Sequence, residues 1–272
     1  MAVAWVTGAS SGLGYYTALA LKQAGWQVAG GARSFSDEEK EGIHCLKLDV
    51  SDQRSVDTFC EAALARFGQP DALVNAAGVL NIGACEDYSE EELRAVMEVN
   101  FFGMTRMVKA VLPHMREKGK GRIVNFSSIN GLMAIPFQGA YAASKHAIEG
   151  YSEARWMELS PLGIEVMLVE PGDHRGGSAK YRSRSALCSP CYADNRERAI
   201  ERIEADEAAG AFPKTLGNKV AKVMSLRKMP PRLRVAQTVQ HLAAMFHDIL
   251  PNRLFFGLLN LYYGIKPNNT KN

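Results

Sequence analysis

Ala2-Val3-Ala4-Trp5-Val6-Thr7-Gly8-Ala9-Ser10-Ser11-Gly12-Leu13-Gly14 is the stretch that decides the fold. Residues 2–6 are apolar throughout, the pattern of a strand buried on both faces of a parallel sheet. Glycines punctuate the turn that follows. A helical run over residues 15–24 comes next, closed by Gly25. A glycine-rich turn between a strand and a helix suits a phosphate, because its amides point outward and the helix dipole favours an anion. The glycines let the backbone approach a pyrophosphate and let the helix pack on the strand. The expected contacts are Gly8, Ser10, Ser11, Gly12, Leu13 and Gly14. The spacing is G-x-x-x-G-x-G. Such a turn can be no more than a tight turn, and its place between strand and helix gives it weight.

A second strand over residues 26–32 ends at Arg33-Ser34. The tip of this strand selects the ribose in a doubly wound nucleotide site: an acid holds a 2′-hydroxyl, an Arg accommodates a 2′-phosphate. The acid is missing here and Arg33 follows, with Ser34 beside it. The reading is NADP(H); the alternative is a solvated Arg at a strand end. A third strand, residues 44–48, leads into Asp49-Val50. Asp49 either accepts from an adenine amino group or caps the helix that opens at Ser51-Asp52. A fourth strand, residues 71–74, ends in Asn75-Ala76-Ala77-Gly78, whose small side chains leave room for a cofactor.

Ser89 caps the next helix, with Glu90, Glu91 and Glu92 in its first turn. Val96, Val99 and Phe102 are expected to face inward. Asn100 lies mid-helix, where Asn is a poor helix former. It faces solvent, or bends the helix, or holds a water near the site. Pro113 and Gly119 are expected to end this element before a fifth strand, residues 122–126.

Ser128 follows that strand, and a helix is expected over residues 140–159. Tyr141 and Lys145 then share one face, one turn apart. An ammonium beside a phenol favours the phenolate and eases movement of its proton. Taken alone, the pair also reads as an exposed aromatic and a solvated Lys. A sixth strand, residues 164–169, ends at Glu170-Pro171-Gly172. Strands and helices thus alternate from residue 2 to residue 172. The fold class is α/β, a doubly wound Rossmann domain with a parallel sheet and ligands beyond the carboxyl ends of its strands. Gly8, Arg33, Asn75, Ser128 and Gly172 all fall at those ends.

These residues resemble the short-chain dehydrogenase/reductase family. The matching motifs are Thr7-Gly8-Ala9-Ser10-Ser11-Gly12-Leu13-Gly14, Asn75-Ala76-Ala77-Gly78, Asn100, Ser128, Tyr141-Ala142-Ala143-Ser144-Lys145 and Pro171-Gly172. The resemblance implies a catalytic set of Asn100, Ser128, Tyr141 and Lys145. It implies that Tyr141 exchanges a proton with the substrate oxygen, that Lys145 also holds the nicotinamide ribose, and that Asn100 keeps a water in a proton path. It extends the cofactor contacts to Val50, Asn75, Ala76, Ala77, Gly78, Pro171 and Gly172. The run Tyr141 to Tyr151 and the C-terminal extension look closest to the steroid and retinol dehydrogenase branch. One departure stands out. The family usually has a Thr shortly after Pro-Gly for the nicotinamide carboxamide, and Gly176 is near that place, with backbone amides or Ser178 as substitutes. A homodimer or homotetramer is implied, paired through the helices around 90–117 and 140–159.

Residues 173–235 are expected to form a substrate lid and residues 236–272 a helical extension, all in one domain over 1–272. Met133, Ile135 and Phe137, with Leu187 and Phe212 from the lid, are apolar candidates for the pocket; each can also be ordinary core. With Ser128, Asn130, Tyr141 and His174 they suggest a lipophilic ketone or alcohol such as a hydroxysteroid or retinoid. His174 is equally a solvated loop residue, and no metal ligand set accompanies it.

The chain has 272 residues, 47% hydrophobic and 22% charged, with a formal charge of +3. That mild excess is not concentrated in a block, which argues against a nucleic-acid partner. Five cysteines, an odd count, suit a reducing, cytoplasmic setting, and Cys188-Ser-Pro-Cys191 reads as ordinary thiols. No apolar run reaches the ~20 residues of a membrane span. Two other readings remain: a dinucleotide sensor without turnover, which has no need of Ser128, Tyr141 and Lys145, and a membrane-surface protein using Phe255, Phe256, Tyr262 and Tyr263. That tail is expected instead to pack on the substrate region or on another subunit.

Overall fold

The structure is a computed structural model, and it describes residues 1–176 and 181–267. The first half runs β1 (Val3–Thr7), α1 (Gly12–Gln23), β2 (Gln27–Ala32), β3 (Glu38–Lys40), β4 (Ile43–Lys47), α2 (Gln53–Phe67), β5 (Ala72–Asn75), β6 (Leu80–Ile82), α3 (Glu90–Met97) and α4 (Gly103–Lys118). The second half runs β7 (Gly121–Phe126), α5 (Gly139–Leu159), β8 (Ile164–Pro171), β9 (Arg182–Arg184), α6 (Ala193–Ala209), α7 (Pro213–Met224), β10 (Arg232–Val235), α8 (Thr238–His247) and α9 (Asn252–Tyr262).

Among the described residues the main sheet has the order β10-β8-β7-β5-β1-β2-β4-β3. Every pair in it is parallel except β3 with β4. On one side of β1 the sheet extends through β2, β4 and β3, and after β4 and α2 the chain returns to β5 on the other side. That reversal is the switch point where a doubly wound sheet opens a crevice. One face packs Trp5, Leu73 and Ile123 against Phe59 of α2 and Met107 and Met115 of α4. The Trp5 and Phe59 rings meet edge to face at 5.7 Å. The other face packs Val6, Val74 and Met167 against Leu21 of α1 and Leu216, Val220 and Met224 of α7. Each such side chain contributes about 1.5–3 kcal/mol by leaving water.

Several expectations change. The first helix starts at Gly12, three residues early, so the glycine turn is shorter than its motif. β3 was not legible. Pro113 lies inside α4, and Gly119, with φ +61°, ends it. Phe102 is 45% exposed, not inward. The cause is a π-helical turn at Glu98–Phe102, which rotates Phe102 outward and buries Asn100. The stretch expected as a lid divides. Pro213 opens α7, and Gly217 packs against the Tyr16 backbone, where a side chain has no room. Residues 213–235 are therefore scaffold, and only the part before α7 lies over the strand ends.

β10 is held by charge. Glu170, with a fully buried side chain, pairs with Arg232 and with Arg234 at 2.7 Å. Arg232 also bonds Glu149 of α5 at 2.7 Å. This network ties the edge strand to the helix that carries Tyr141.

Candidate active site

At the switch point the turn after β1 opens a cleft lined by Gly8, Ser10, Ser11, Gly12, Leu13 and Gly14. Gly8 has φ +68°, and a Cβ there would lie 2.8 Å from the Ala76 oxygen and from Ala77. The turn thus lies flat against the strand β5 exit, with backbone facing the cleft. Ala76 and Ala77 donate to Thr7 Oγ1, both at 3.1 Å, which fixes that exit. Arg33, Asp49, Val50, Ala76, Ala77, Gly78, Tyr141, Lys145 and Pro171 also line the cleft. A glycine turn, a helix N-terminus and a cation at the β2 tip fit a dinucleotide diphosphate.

Three expected contacts are placed elsewhere. Ser34 is exposed and off the cleft wall. Asn75 is buried beneath it, donating to Asn125 at 2.9 Å. Gly172 lines a neighbouring cavity instead. Asp49 does not cap α2: Asp52 does, accepting from the Arg54 amide. Asp49 accepts from the Ser51 hydroxyl at 2.6 Å and amide at 3.0 Å. Burial pushes its carboxyl up, but those bonds and the charge of Arg33 outweigh it and hold the pKa low. Tyr181, which no motif announced, lines the cleft and hydrogen-bonds Ser11.

Ser128 follows β7, and Tyr141 sits in the first turn of α5. Ser128 Oγ accepts from the Asn130 amide at 3.1 Å, which leaves its proton free to donate. Burial pushes the Tyr141 phenol up to about 12, a side-chain hydrogen bond with Ser128 opposes this, and the charges of Asp173 and Glu207 add to it. Lys145 Nζ is 5.4 Å from the Tyr141 ring centroid and donates to the Phe126 carbonyl at 2.8 Å. Its own pKa falls to about 8 through burial, against the pull of Glu149. Desolvation is the largest influence on the phenol. Asn100 is 1% exposed. It accepts from the Val79 amide at 2.8 Å and donates to the Val79 carbonyl at 3.0 Å and to Ser144 at 2.9 Å. A Cβ on Gly78 would lie 3.4 Å from Asn100 Oδ1 and 3.9 Å from Lys145 Nζ, so both flank one glycine.

A second cavity meets the cleft at Tyr141, with Leu13, Leu80 and Pro171 common to both. Ser128, Asn130, Met133, Ile135, Gly172 and His174 line it, as expected or nearby. Phe137 does not; at φ +61° its ring turns to Tyr192. Leu187 and Phe212 are 58% and 63% exposed and line neither cavity. Phe212 lies under the Arg175 guanidinium at 4.7 Å. Tyr263, at the end of α9, lines the cavity too; sequence reasoning missed Asp173, Asp206, Glu207 and Gln240, which line it from the β8 exit, α6 and α8. Nothing local marked them, because they meet only through the tertiary fold. Gly176 adopts φ +64°, and Ser178 lies outside the described residues. In the tail, Phe255 and Tyr263 are buried while Phe256 and Tyr262 are 49% and 39% exposed. No helix among the described residues is long and apolar enough to cross a membrane.

A family model described as short chain dehydrogenase matches residues 2–185. The chain is 40% identical to a 3-ketodihydrosphingosine reductase of Bacteroides thetaiotaomicron, over 96% of this chain and 97% of that one. The fold is similar to that of a short-chain dehydrogenase from Streptomyces avermitilis, with TM-score 0.82 and 31% identity over 97% of this chain and 98% of that one. It is also similar to an alcohol dehydrogenase from Thermococcus sibiricus solved with 5-hydroxy-NADP, with TM-score 0.70 and 27% identity over 87% of this chain and 96% of that one. With the glycine turn, the parallel sheet and the Ser128–Tyr141–Lys145 cluster in place, these likenesses assign the chain to the short-chain dehydrogenase family of oxidoreductases acting on CH–OH groups.

Proposed function

We propose that this protein is an NADP(H)-dependent reductase of a lipophilic ketone, first of all a 3-keto sphingoid base. The carrying observation is that two cavities meet at Tyr141, one with a phosphate-type turn and one with an apolar wall. When bound, the nicotinamide dinucleotide supplies or takes the hydride. Tyr141 gives its proton to the alkoxide oxygen that forms. Ser128 donates to the same oxygen, where charge develops. Lys145 holds the nicotinamide ribose and supports the phenolate left behind. Asn100 fixes the turn at Val79 and, through Ser144, the first turn of α5; it also holds a water toward Lys145. In the reverse direction Tyr141 is the base. Arg33 faces the 2′-phosphate, Asp49 the adenine, and Ala76, Ala77, Gly78 and Pro171 the rest of the cofactor.

The similarity to a 3-ketodihydrosphingosine reductase supports the substrate class. A hydroxysteroid or a retinoid is the second reading, favoured by the apolar Met133 and Ile135. We infer further that the chain acts as one domain in the cytoplasm and pairs as a dimer or tetramer.

The test is NADPH oxidation with 3-ketodihydrosphingosine, ketosteroids and retinal. Tyr141→Phe should keep NADPH binding and lose turnover by about 10²-fold or more. Near-normal turnover in that variant removes Tyr141 from the chemistry. NADH used as well as NADPH would overturn the Arg33 assignment.

A further inference from the structure

The second cavity carries more negative charge than an apolar ketone needs. Asp173, Asp206 and Glu207 all line it. Two of them have cations at hand. Asp206 accepts from Arg202 at 2.6 Å and from the Tyr262 hydroxyl at 3.0 Å. Glu207 pairs with Arg182. Asp173 differs. Its side chain accepts from the neutral amide of Gln240, and its own amide donates to Gln240 Oε1 at 3.3 Å. Among the described residues no cation forms an ion pair with it. Burial, then Asp206 and Glu207, push its carboxyl up to about 6, against the Gln240 bond and the more distant charge of Arg182. Asp173 and Glu207 also act on the Tyr141 phenol, against formation of its anion. A reductase must leave that anion behind when the proton goes to the substrate. Asp173 therefore weighs against the phenolate that Lys145 supports, and a further positive charge beside Asp173 eases the step.

His174 adds an independent sign. It lines the same cavity and is 4% exposed. Its Nδ1 is 2.8 Å from the Gly172 carbonyl, which can only accept, so Nδ1 carries the proton. Nε2 then bears a lone pair, and it is buried without a partner among the described residues. Burial, with the charge of Lys219, pushes the ring pKa down against the Gly172 bond. A buried acceptor of this kind calls for a donor.

We propose that Asp173, backed by Asp206 and Glu207, and the lone pair of His174 Nε2 bind the protonated amine of a substrate whose ammonium lies on the carbon next to the reacting carbonyl. The inference rests on ketone reduction in this cavity. An ammonium brings three donors and a full charge. Set beside the carbonyl, it offsets the carboxylates and stabilises the Tyr141 phenolate. A long-chain 2-amino-3-ketone carries that group together with an apolar tail for Met133 and Ile135.

The experiment compares wild type and Asp173→Asn with NADPH on 3-ketodihydrosphingosine and on its N-acetyl derivative, which keeps the chain and the ketone but not the charge. Asn can still accept from Gln240, so the fold is kept. Wild type should favour the amine in kcat/KM, and Asp173→Asn should lower the amine to N-acetyl ratio by about tenfold or more, mainly through KM. Asp173→Glu should recover part of it. Calorimetric titration of the NADPH complex with sphinganine gives a readout without turnover, and Asp173→Asn should weaken that binding by about tenfold. A ratio or an affinity that stays within about twofold overturns the ammonium site. Should wild type reduce only ketosteroids or retinal, or no ketone at all, the substrate reading fails, and the sphinganine titration then decides the site alone: no binding, or equal binding in both proteins, overturns it.

Discussion

Tyr141 and Lys145 were placed on one helical face by their spacing, and that placement holds. Their energetics were not legible, because burial belongs to the whole fold. Neither the Phe126 carbonyl under Lys145 nor the carboxylates around Tyr141 have a sequence signal near α5. The lysine gives a prediction with a definite sign. Its pKa falls from 10.5 to about 8 in the folded chain. Between those values the unfolded chain holds a proton that the folded chain releases, so stability rises with pH across that window. Below it, the buried ammonium costs about 3 kcal/mol. Lys145→Met should therefore lose turnover, yet be at least as stable as wild type at neutral pH. Its urea midpoint should lack the wild-type rise toward pH 10.5. Identical pH slopes in the two proteins would remove the lysine as the source.

At the scale of elements, the apolar strands and the capped helices were readable because each carries its own period and stop signals. The helical extension expected over 236–272 holds α8 at Thr238–His247. β3 was not readable: Glu38-Glu39-Lys40 has no apolar period and is held only by pairing with β4. The π-helical turn was hidden too, since one extra residue in a helix leaves composition unchanged while it swaps Asn100 for Phe102 on the inner face. β10 lay within the stretch expected as a lid, and the charges that hold it are tertiary. Removing Arg232 leaves buried Glu170 with Arg234 as its remaining cation and deprives Glu149 of a partner at 2.7 Å. Arg232→Met should cost about 3 kcal/mol in urea unfolding. Arg94→Met, which loses an exposed i,i+4 pair with Glu90, should cost no more than about 1 kcal/mol. Equal losses in the two variants would mean that the buried network adds nothing to the hold on β10.

For the molecule as a whole, the order of strands explains why residues from 8 to 263 reach one place: the chain reverses direction across the sheet between β1 and β5, and both cavities open at that reversal. Most of the cleft after β1 was legible because its lining residues belong to local motifs at strand ends. The substrate side was not, because α6, α8 and the end of α9 fold back over it from distant sequence. The same scale governs assembly. Phe102, in the turn before α4, and Trp156 and Met157 of α5 are 45%, 39% and 64% exposed and line neither cavity. The π-helical turn holds Phe102 there, so the turn that buries Asn100 also exposes an aromatic ring, which the proposed pairing would cover. Light scattering should give a mass two or four times 29.8 kDa. Met157→Asp should lower it toward one copy, since an unpaired carboxylate in a closed apolar interface costs several kcal/mol. Phe256→Asp, on the exposed face of α9, should leave the mass alone. A 29.8 kDa species in the wild type, or a mass lowered only by Phe256→Asp, would move the pairing off α4 and α5.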